Sequence, residues 1–232
     1  MTEGILIRVV ITIAEVNDLF AYQRQFCAYY RVLEDDFCAT EKYLTVNPDN
    51  YSAYSTEFLK QIQAICSEID VSLQFLCKLI KPGFNKDKFP YYCKCILTYN
   101  PLFPRANVSY IRVQNMMLTP WFGWKYIDPP ANKPKAVLTS DNPEWWTVHN
   151  KIKHDRIALR EGTGKPYYKY ANQGNVLNAL AALFIVDSYT LHLLCEGAPK
   201  DSAEHFLKDW YESSKMFAGF LIGSPPKISR AQ

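Results

Sequence analysis

The sequence lacks a large excess of charge and a long apolar run, and each absence excludes a class of protein. Its 232 residues carry 26 basic and 23 acidic side chains, so a net charge of +3 excludes a uniformly polycationic protein. The longest strongly apolar stretch, residues 176–186, is shorter than the roughly 20 residues that cross a bilayer. No basic segment precedes the apolar residues near the amino terminus, and no small-residue cleavage site follows them. We therefore expect a soluble cytoplasmic protein without a membrane partner.

Motifs for metal or nucleotide chemistry are also missing. Cys93 and Cys95 are closely spaced among seven cysteines, but no second pair or histidine lies near them in sequence to complete a zinc site. Residues 162–165, Gly-Thr-Gly-Lys, are similar to a phosphate loop, yet Pro166 stands where a serine or threonine would bind magnesium. We therefore expect no metal and no other cofactor, and we expect the cysteines to be reduced, mostly buried thiols.

Apolar periodicity predicts a mainly α-helical fold. Residues 15–46 predict one long helix or two with a break, and residues 176–195 are apolar on almost every side, which is typical of a central, buried helix. A last helix is predicted over residues 202–212. Ser52 or Ser55 can cap another helix, whose core-facing residues recur at spacings of three and four: Phe58, Ile62, Ile65, Ile69, Leu73, Leu76 and Ile80.

Residues 84–140 differ from the rest of the chain because prolines interrupt them repeatedly. Alternating apolar and polar residues over 107–118 predict a strand, as part of a small hairpin. Trp121 and Trp124 are expected to pack in the interior. We predict a single domain over residues 1–232: a helical bundle with an irregular, partly β insertion, about residues 84–140, between the second and third main helices.

A third main helix is predicted to begin at residues 142–144. Asn142 would cap it, Pro143 would occupy its first position, and the Glu144 carboxylate would lie in its first turn. Further along the chain, asparagines recur every three residues at the start of the buried helix. We expect them to cap that helix or to bond to a neighbouring helix, since a buried amide needs partners: Asn172, Asn175 and Asn178.

The most polar segment of the chain begins on the third main helix. Residues 149–169 contain six basic and two acidic side chains, and three tyrosines follow the helix. Cations neutralise phosphates and aromatic rings stack on bases, so this segment is predicted to bind nucleic acid. The six basic residues are Lys151, Lys153, Arg156, Arg160, Lys165 and Lys169, and the tyrosines are Tyr167, Tyr168 and Tyr170.

His154 is the candidate catalytic residue. It lies one helical turn after Asn150, and a histidine beside cations suits proton transfer at a phosphate. The alternative interpretation is a solvated helix face whose cations are neutralised by Glu68 or Asp70 of the earlier helix.

The arrangement of these helices resembles the HEPN-like helical domains of prokaryotic toxin–antitoxin and antiviral defence systems. The similar parts are roughly residues 15–80, with Tyr54-Ser-Thr-Glu-Phe58, and residues 141–195, with Asn150-Lys-Ile-Lys-His-Asp-Arg156. The resemblance implies an all-α homodimer that cleaves RNA without a metal. The family's motif places an arginine four to six residues before a histidine; this sequence has none there, so His154 alone matches and Arg156 takes the arginine role downstream.

Three functions are therefore open. In the first, His154 acts as general acid or base on RNA, Arg156 and Lys153 stabilise the phosphorane charge, and Asn150 orients the histidine. In the second, the chain is a non-catalytic binding or scaffold module that contacts RNA backbone or an acidic partner protein. In the third, a small-molecule pocket lined by Trp121 and Trp124 lies between the insertion and the bundle.

Overall fold

The computed structural model describes residues 19–130, 132 and 137–221; the predictions about the amino terminus concern residues outside this range. The described chain is mainly helical with two small antiparallel sheets, which confirms the predicted fold class. The helices are α1 (a π-helical turn, Gln23–Cys27, continuing into Ala28–Thr40), α2 (Thr56–Ile80), α3 (Phe89–Tyr99), α4 (Glu144–Asp155), α5 (Gln173–Cys195) and α6 (Lys200–Ser213). The strands are β1 (Asn107–Tyr110), β2 (Met117–Leu118), β3 (Lys125–Ile127), β4 (Thr139–Asp141) and β5 (Phe217–Leu221).

Helix α5 is the centre of the bundle, as its apolar sequence predicts. Its residues are buried on all sides, and it packs most extensively against α2. Among the described residues it is the one helix long and apolar enough to cross a membrane, and 89% of its apolar window is buried inside the protein. Its burial by the surrounding helices explains why it carries apolar residues on every face.

Helix α2 presents the predicted stripe to the core. The stripe residues from Phe58 to Leu76 are buried, and Ile80 is partly buried. Ser55 caps the helix, because its hydroxyl oxygen accepts a hydrogen bond from the Phe58 backbone N–H at 3.0 Å. Of the two predicted capping serines, the structure therefore selects Ser55.

A three-stranded sheet with the order β2-β1-β5 closes one side of the bundle. The single strand predicted over residues 107–118 is instead two short strands, β1 and β2, which form a hairpin with each other, with Val108 opposite Leu118. The other edge of β1 pairs with β5, more than 100 residues further along the chain. The sequence did not predict β5, since strand pairing between distant segments leaves no local pattern.

The insertion is more ordered than its prolines suggest. It contains α3, which the sequence analysis did not predict, and a two-stranded sheet of β3 and β4. Trp121 and Trp124 are almost completely buried, which confirms that they pack in the interior. The Trp121 indole N–H donates to the Ala182 carbonyl of α5 at 3.2 Å. Because both rings are inaccessible, the predicted small-molecule pocket lined by these tryptophans is wrong.

The structure corrects the predicted cap of α4 and confirms the predicted cap of α5. Pro143 is the N-cap of α4 instead of its first helical residue, and Asn142 accepts a hydrogen bond from the Ser140 hydroxyl at 2.7 Å instead of capping the helix. At α5, Asn172 caps the helix by accepting from the Asn175 backbone N–H. The amides of Asn175 and Asn178 donate to carbonyls within their own segment, so none of the three bonds to a neighbouring helix.

Candidate nucleic-acid interface

Helix α4 presents the predicted site on its solvent side. Trp145, Val148 and Ile152 are buried against the bundle, where α4 packs on α2 and α5. The helical period therefore leaves Lys151 and His154 exposed near the carboxyl end of the helix. The apolar stripe predicted from the sequence is what orients the polar residues outwards.

The His154 ring is exposed on the last turn of α4, so it is accessible to a ligand. Arg156, also exposed, follows at the C-cap of the helix. Asn150 is half-buried one turn earlier, but its amide makes no hydrogen bond to the His154 ring or to another side chain that the structure describes. Nothing in the described residues therefore orients the imidazole, and the roles predicted for these three residues remain predictions.

Lys153 and Arg156 line an open groove between α2 and α4. The groove has a volume of about 770 Å³, and Lys60 and Glu68 of α2 contribute to its wall. Glu68 forms no ion pair within 4 Å with either α4 cation, and burial raises the pKa of its carboxyl. The alternative interpretation, in which Glu68 or Asp70 neutralises Lys153 or Arg156, is supported in part: no direct ion pair forms among the described residues, but the nearby charge of Lys153 lowers the pKa of the Asp70 carboxyl.

Tyrosine rings lie against several of the predicted cations. The Lys151 ammonium is 5.7 Å from the ring centroid of Tyr167, and the Lys169 ammonium is 5.7 Å from that of Tyr54. The Tyr54 and Tyr168 rings meet edge to face, with centroids 6.0 Å apart. These contacts place alternating cations and aromatic rings on the protein surface, as the sequence predicted.

Backbone hydrogen bonds hold the tyrosines beside the end of α4. The Tyr168 N–H donates to the Arg156 carbonyl at 3.1 Å, and the Tyr167 N–H donates to the Ala158 carbonyl at 3.0 Å. The intervening loop reverses direction at Gly162 and Gly164, whose positive φ angles of 76° and 64° suit glycine. Chain residues 156–168 therefore form a closed loop that brings the aromatic segment back to the cations.

Arg160 differs from the other five basic residues. Its guanidinium forms an ion pair with Glu144 and lies 4.7 Å from the ring centroid of Tyr170. Arg160 is thus already paired within the chain, whereas the other five cations form no ion pair with a described residue: Lys151, Lys153, Arg156, Lys165 and Lys169. We call these five, together with His154, Tyr54, Tyr167 and Tyr168, the basic surface.

The sequence analysis missed His149. This residue is 4% exposed, and its Nδ1 atom has no hydrogen-bond partner among the described residues. Burial, and to a lesser extent the charges of Lys153 and His154, lower the pKa of His149 to about 4, so the ring is neutral at pH 7. The signal was present in the sequence, because His149 lies beside Val148 within the apolar stripe of α4.

His149 lines a cavity of about 380 Å³ between α2, α4 and the start of α3. Lys153 and Asn150 also line it, so the cavity adjoins the basic surface. Two carboxylates, Asp70 and Asp87, complete its polar wall. Within the described ranges, no three histidine, cysteine or carboxylate side chains lie close enough together to hold a metal.

Comparisons with protein-family models, with curated proteins and with solved structures find no significant match to this chain. The function must therefore be inferred from the geometry of the basic surface and the adjoining cavity.

Proposed function

We propose that this chain is a helical RNA-binding protein that holds the sugar–phosphate backbone on the basic surface. One observation supports this most strongly: five exposed or half-exposed cations around the end of α4 have no ion-pair partner among the described residues. Unpaired cations release counterions when they contact phosphates, which provides most of the affinity for RNA backbone. Half-exposed tyrosines beside them offer rings on which unpaired bases stack.

A charge-reversal variant tests this proposal. Lys153→Glu/Arg156→Glu is expected to weaken binding of a labelled single-stranded oligoribonucleotide about 100-fold at 0.1 M salt, because two attractive interactions with phosphates become repulsive. The slope of log K against log salt concentration should also become shallower, by about one for each phosphate that is no longer neutralised. Fluorescence anisotropy over a salt series measures both effects.

The matched control is Lys200→Glu/Lys208→Glu on α6, which changes the net charge equally. Each of these lysines already pairs with a glutamate one turn away, Glu204 and Glu212. The control should bind RNA within about threefold of the original protein, because Lys200 and Lys208 are not part of the basic surface and salt screens charges more than about 10 Å apart. The proposal is contradicted if both variants weaken RNA binding equally, or if the α4 variant does not weaken it. An acidic protein would then be the partner of this surface.

A second candidate function, metal-independent RNA cleavage, is favoured by the exposure of His154 between Lys153 and Arg156. In such a reaction the ribose 2′-oxygen attacks the adjacent phosphorus and the bond to the 5′-oxygen breaks. One imidazole accepts the 2′-hydroxyl proton, and a second protonates the leaving oxygen. A homodimer would provide both imidazoles from two copies of His154, while the cations stabilise the phosphorane charge.

His154→Ala separates cleavage from binding. If the ring is the acid or base, cleavage of the oligoribonucleotide should fall at least about 100-fold. RNA affinity should change by less than about threefold, since all five cations of the basic surface are retained. Gel analysis of cleavage products, with circular dichroism to confirm folding, measures this. Cleavage that persists in the folded variant removes the enzymatic candidate and leaves RNA binding unaffected.

A further inference from the structure

The cavity beside His149 contains one buried polar atom without a partner and, on its wall, a half-buried carboxylate. The Nδ1 atom of His149 is buried without a hydrogen-bond partner. The Asp70 carboxylate on α2 makes no hydrogen bond with a described residue, and the nearby charge of Lys153 acts on it. Buried polar atoms such as the His149 Nδ1 normally have partners, because leaving one unsatisfied destabilises the folded protein. Both groups line the same 380 Å³ cavity, which is large enough for a small ligand.

The other walls of the cavity define what it can bind. Phe89 and Trp146 stack on each other, with centroids 4.0 Å apart, and provide an apolar wall. Lys88 and Lys153 provide ammonium donors on the wall. The cavity thus combines an apolar side with two carboxylates, Asp70 and Asp87, and two lysines.

From these groups we infer that the cavity binds the guanine base of an RNA strand whose backbone lies on the basic surface; the inference rests on the proposed RNA binding. Guanine presents two adjacent N–H donors, N1–H and the 2-amino group, which suit the two oxygens of the Asp70 carboxylate. Its O6 and N7 atoms are acceptors that suit a lysine ammonium. The neutral His149 ring can exchange one further hydrogen bond with the base.

The other bases fit this wall less well. Adenine offers one amino group beside an acceptor nitrogen, and cytosine likewise. Uracil offers one N–H between two carbonyl oxygens, which the Asp70 carboxylate would repel. Unpaired RNA is commonly read in this way, by hydrogen bonds to the exposed edges of bases held apart from their neighbours.

Lys153 connects the cavity to the proposed backbone site. It lines both the 380 Å³ cavity and the groove between α2 and α4. A strand whose phosphates bind Lys153 and Arg156 in the groove therefore passes the mouth of the cavity. This juxtaposition allows one nucleotide to turn its base towards Asp70 while its neighbours stay on the surface.

The experiment compares an all-uridine oligoribonucleotide with one that carries a single central guanosine. The guanosine oligomer should bind about 10- to 100-fold more tightly, the range of a well-formed bidentate contact. Asp70→Asn should remove this difference by weakening the binding of the guanosine oligomer, whereas the affinity for the all-uridine oligomer should not fall, because the Asp70 charge opposes that of Lys153. His149→Phe, which keeps an apolar ring in the packed position, should reduce the difference as well. Asp201→Asn, an exposed change on α6, should have no effect.

Competition with free nucleotides provides a second measurement that does not depend on a variant. Guanosine 5′-monophosphate should displace the guanosine oligomer at lower concentration than uridine 5′-monophosphate does. If the two oligomers bind with equal affinity and Lys153→Glu/Arg156→Glu still weakens all-uridine binding about 100-fold, the guanine site is overturned and the proposed function stays intact. If neither oligomer binds, the proposed function and this inference both fail.

Discussion

Replacing Glu34 by alanine should lower the free energy of unfolding by about 3–5 kcal/mol, because several donors around its carboxylate lose their acceptor, at about 1–3 kcal/mol for each buried one. Glu34 lies on α1 and is 1% exposed. Its carboxylate accepts hydrogen bonds from the backbone N–H groups of Lys215 and Met216, at 3.0 and 3.2 Å, and from the Ser214 hydroxyl at 2.6 Å. Without it, buried donors immediately before β5 lose their acceptors, so we also expect β5 to detach from β1.

Urea denaturation measures the loss, and hydrogen exchange at residues 215–218 reports whether β5 separates first. Asp35→Ala is the matched control, since Asp35 is the exposed neighbour whose carboxylate pairs with Lys215. Exposed ion pairs are worth about 0–1 kcal/mol, so this control should be nearly neutral. Glu34→Gln keeps one acceptor oxygen and should cost less than alanine. A loss below about 1 kcal/mol in Glu34→Ala would show that Glu34 does not anchor the strand.

The second large effect is a pH dependence of stability caused by Asp187. This α5 carboxylate is completely buried and accepts hydrogen bonds from the Tyr22 hydroxyl at 2.7 Å and the Ser72 hydroxyl at 3.1 Å. Burial, together with the nearby Glu68 charge, raises its pKa to about 7, although the two hydrogen bonds act in the opposite direction. The folded protein therefore keeps a proton that the unfolded chain, with a carboxyl pKa of about 4, has released.

The sign of the effect follows from this difference. The stabilisation from protonated Asp187 is complete below about pH 4 and is lost as the pH rises through about 7, by up to about 4 kcal/mol. Asp187→Asn should therefore flatten the fall in unfolding free energy between pH 5 and pH 8, because an amide does not titrate and its oxygen still accepts from Tyr22. Denaturant titrations at several pH values measure the slope. Asp201→Asn should retain the original slope; an unchanged slope in Asp187→Asn would mean that Asp187 is not the group that titrates.

Much of the candidate site followed from local sequence. The apolar stripe of α4 predicted which residues face the bundle, and the exposure of Lys151 and His154 agrees with it. The density of cations and tyrosines over residues 149–170 also predicted an interface, since charge and aromatic content are properties of composition. The pairing of Arg160 with Glu144 was not predictable, because it depends on how the loop after α4 folds back along the helix.

His149 shows why the rest of the site was missed. Its position within the α4 stripe indicated burial. A buried histidine, however, indicates a ligand site only when no neighbouring group forms a hydrogen bond with its ring. Those neighbours come from α2 and from the loop before α3, about 60–80 residues earlier in the chain. Asp70 and His149 share a cavity because α2 and α4 pack against each other. The local sequence around either residue does not indicate that packing.

The sequence by itself determined the mainly helical fold, the burial of α5 and the position of the basic segment, because helical periodicity and charge density are local properties. Only the tertiary structure decided that β5 pairs with β1. It also decided that the Glu34 carboxylate accepts hydrogen bonds from the backbone before β5, and that the buried Asp187 carboxylate accepts one from Tyr22. Each of these contacts joins residues more than 100 positions apart. They arise from packing the whole chain, in which a buried polar group takes whichever partner the fold brings within hydrogen-bonding distance.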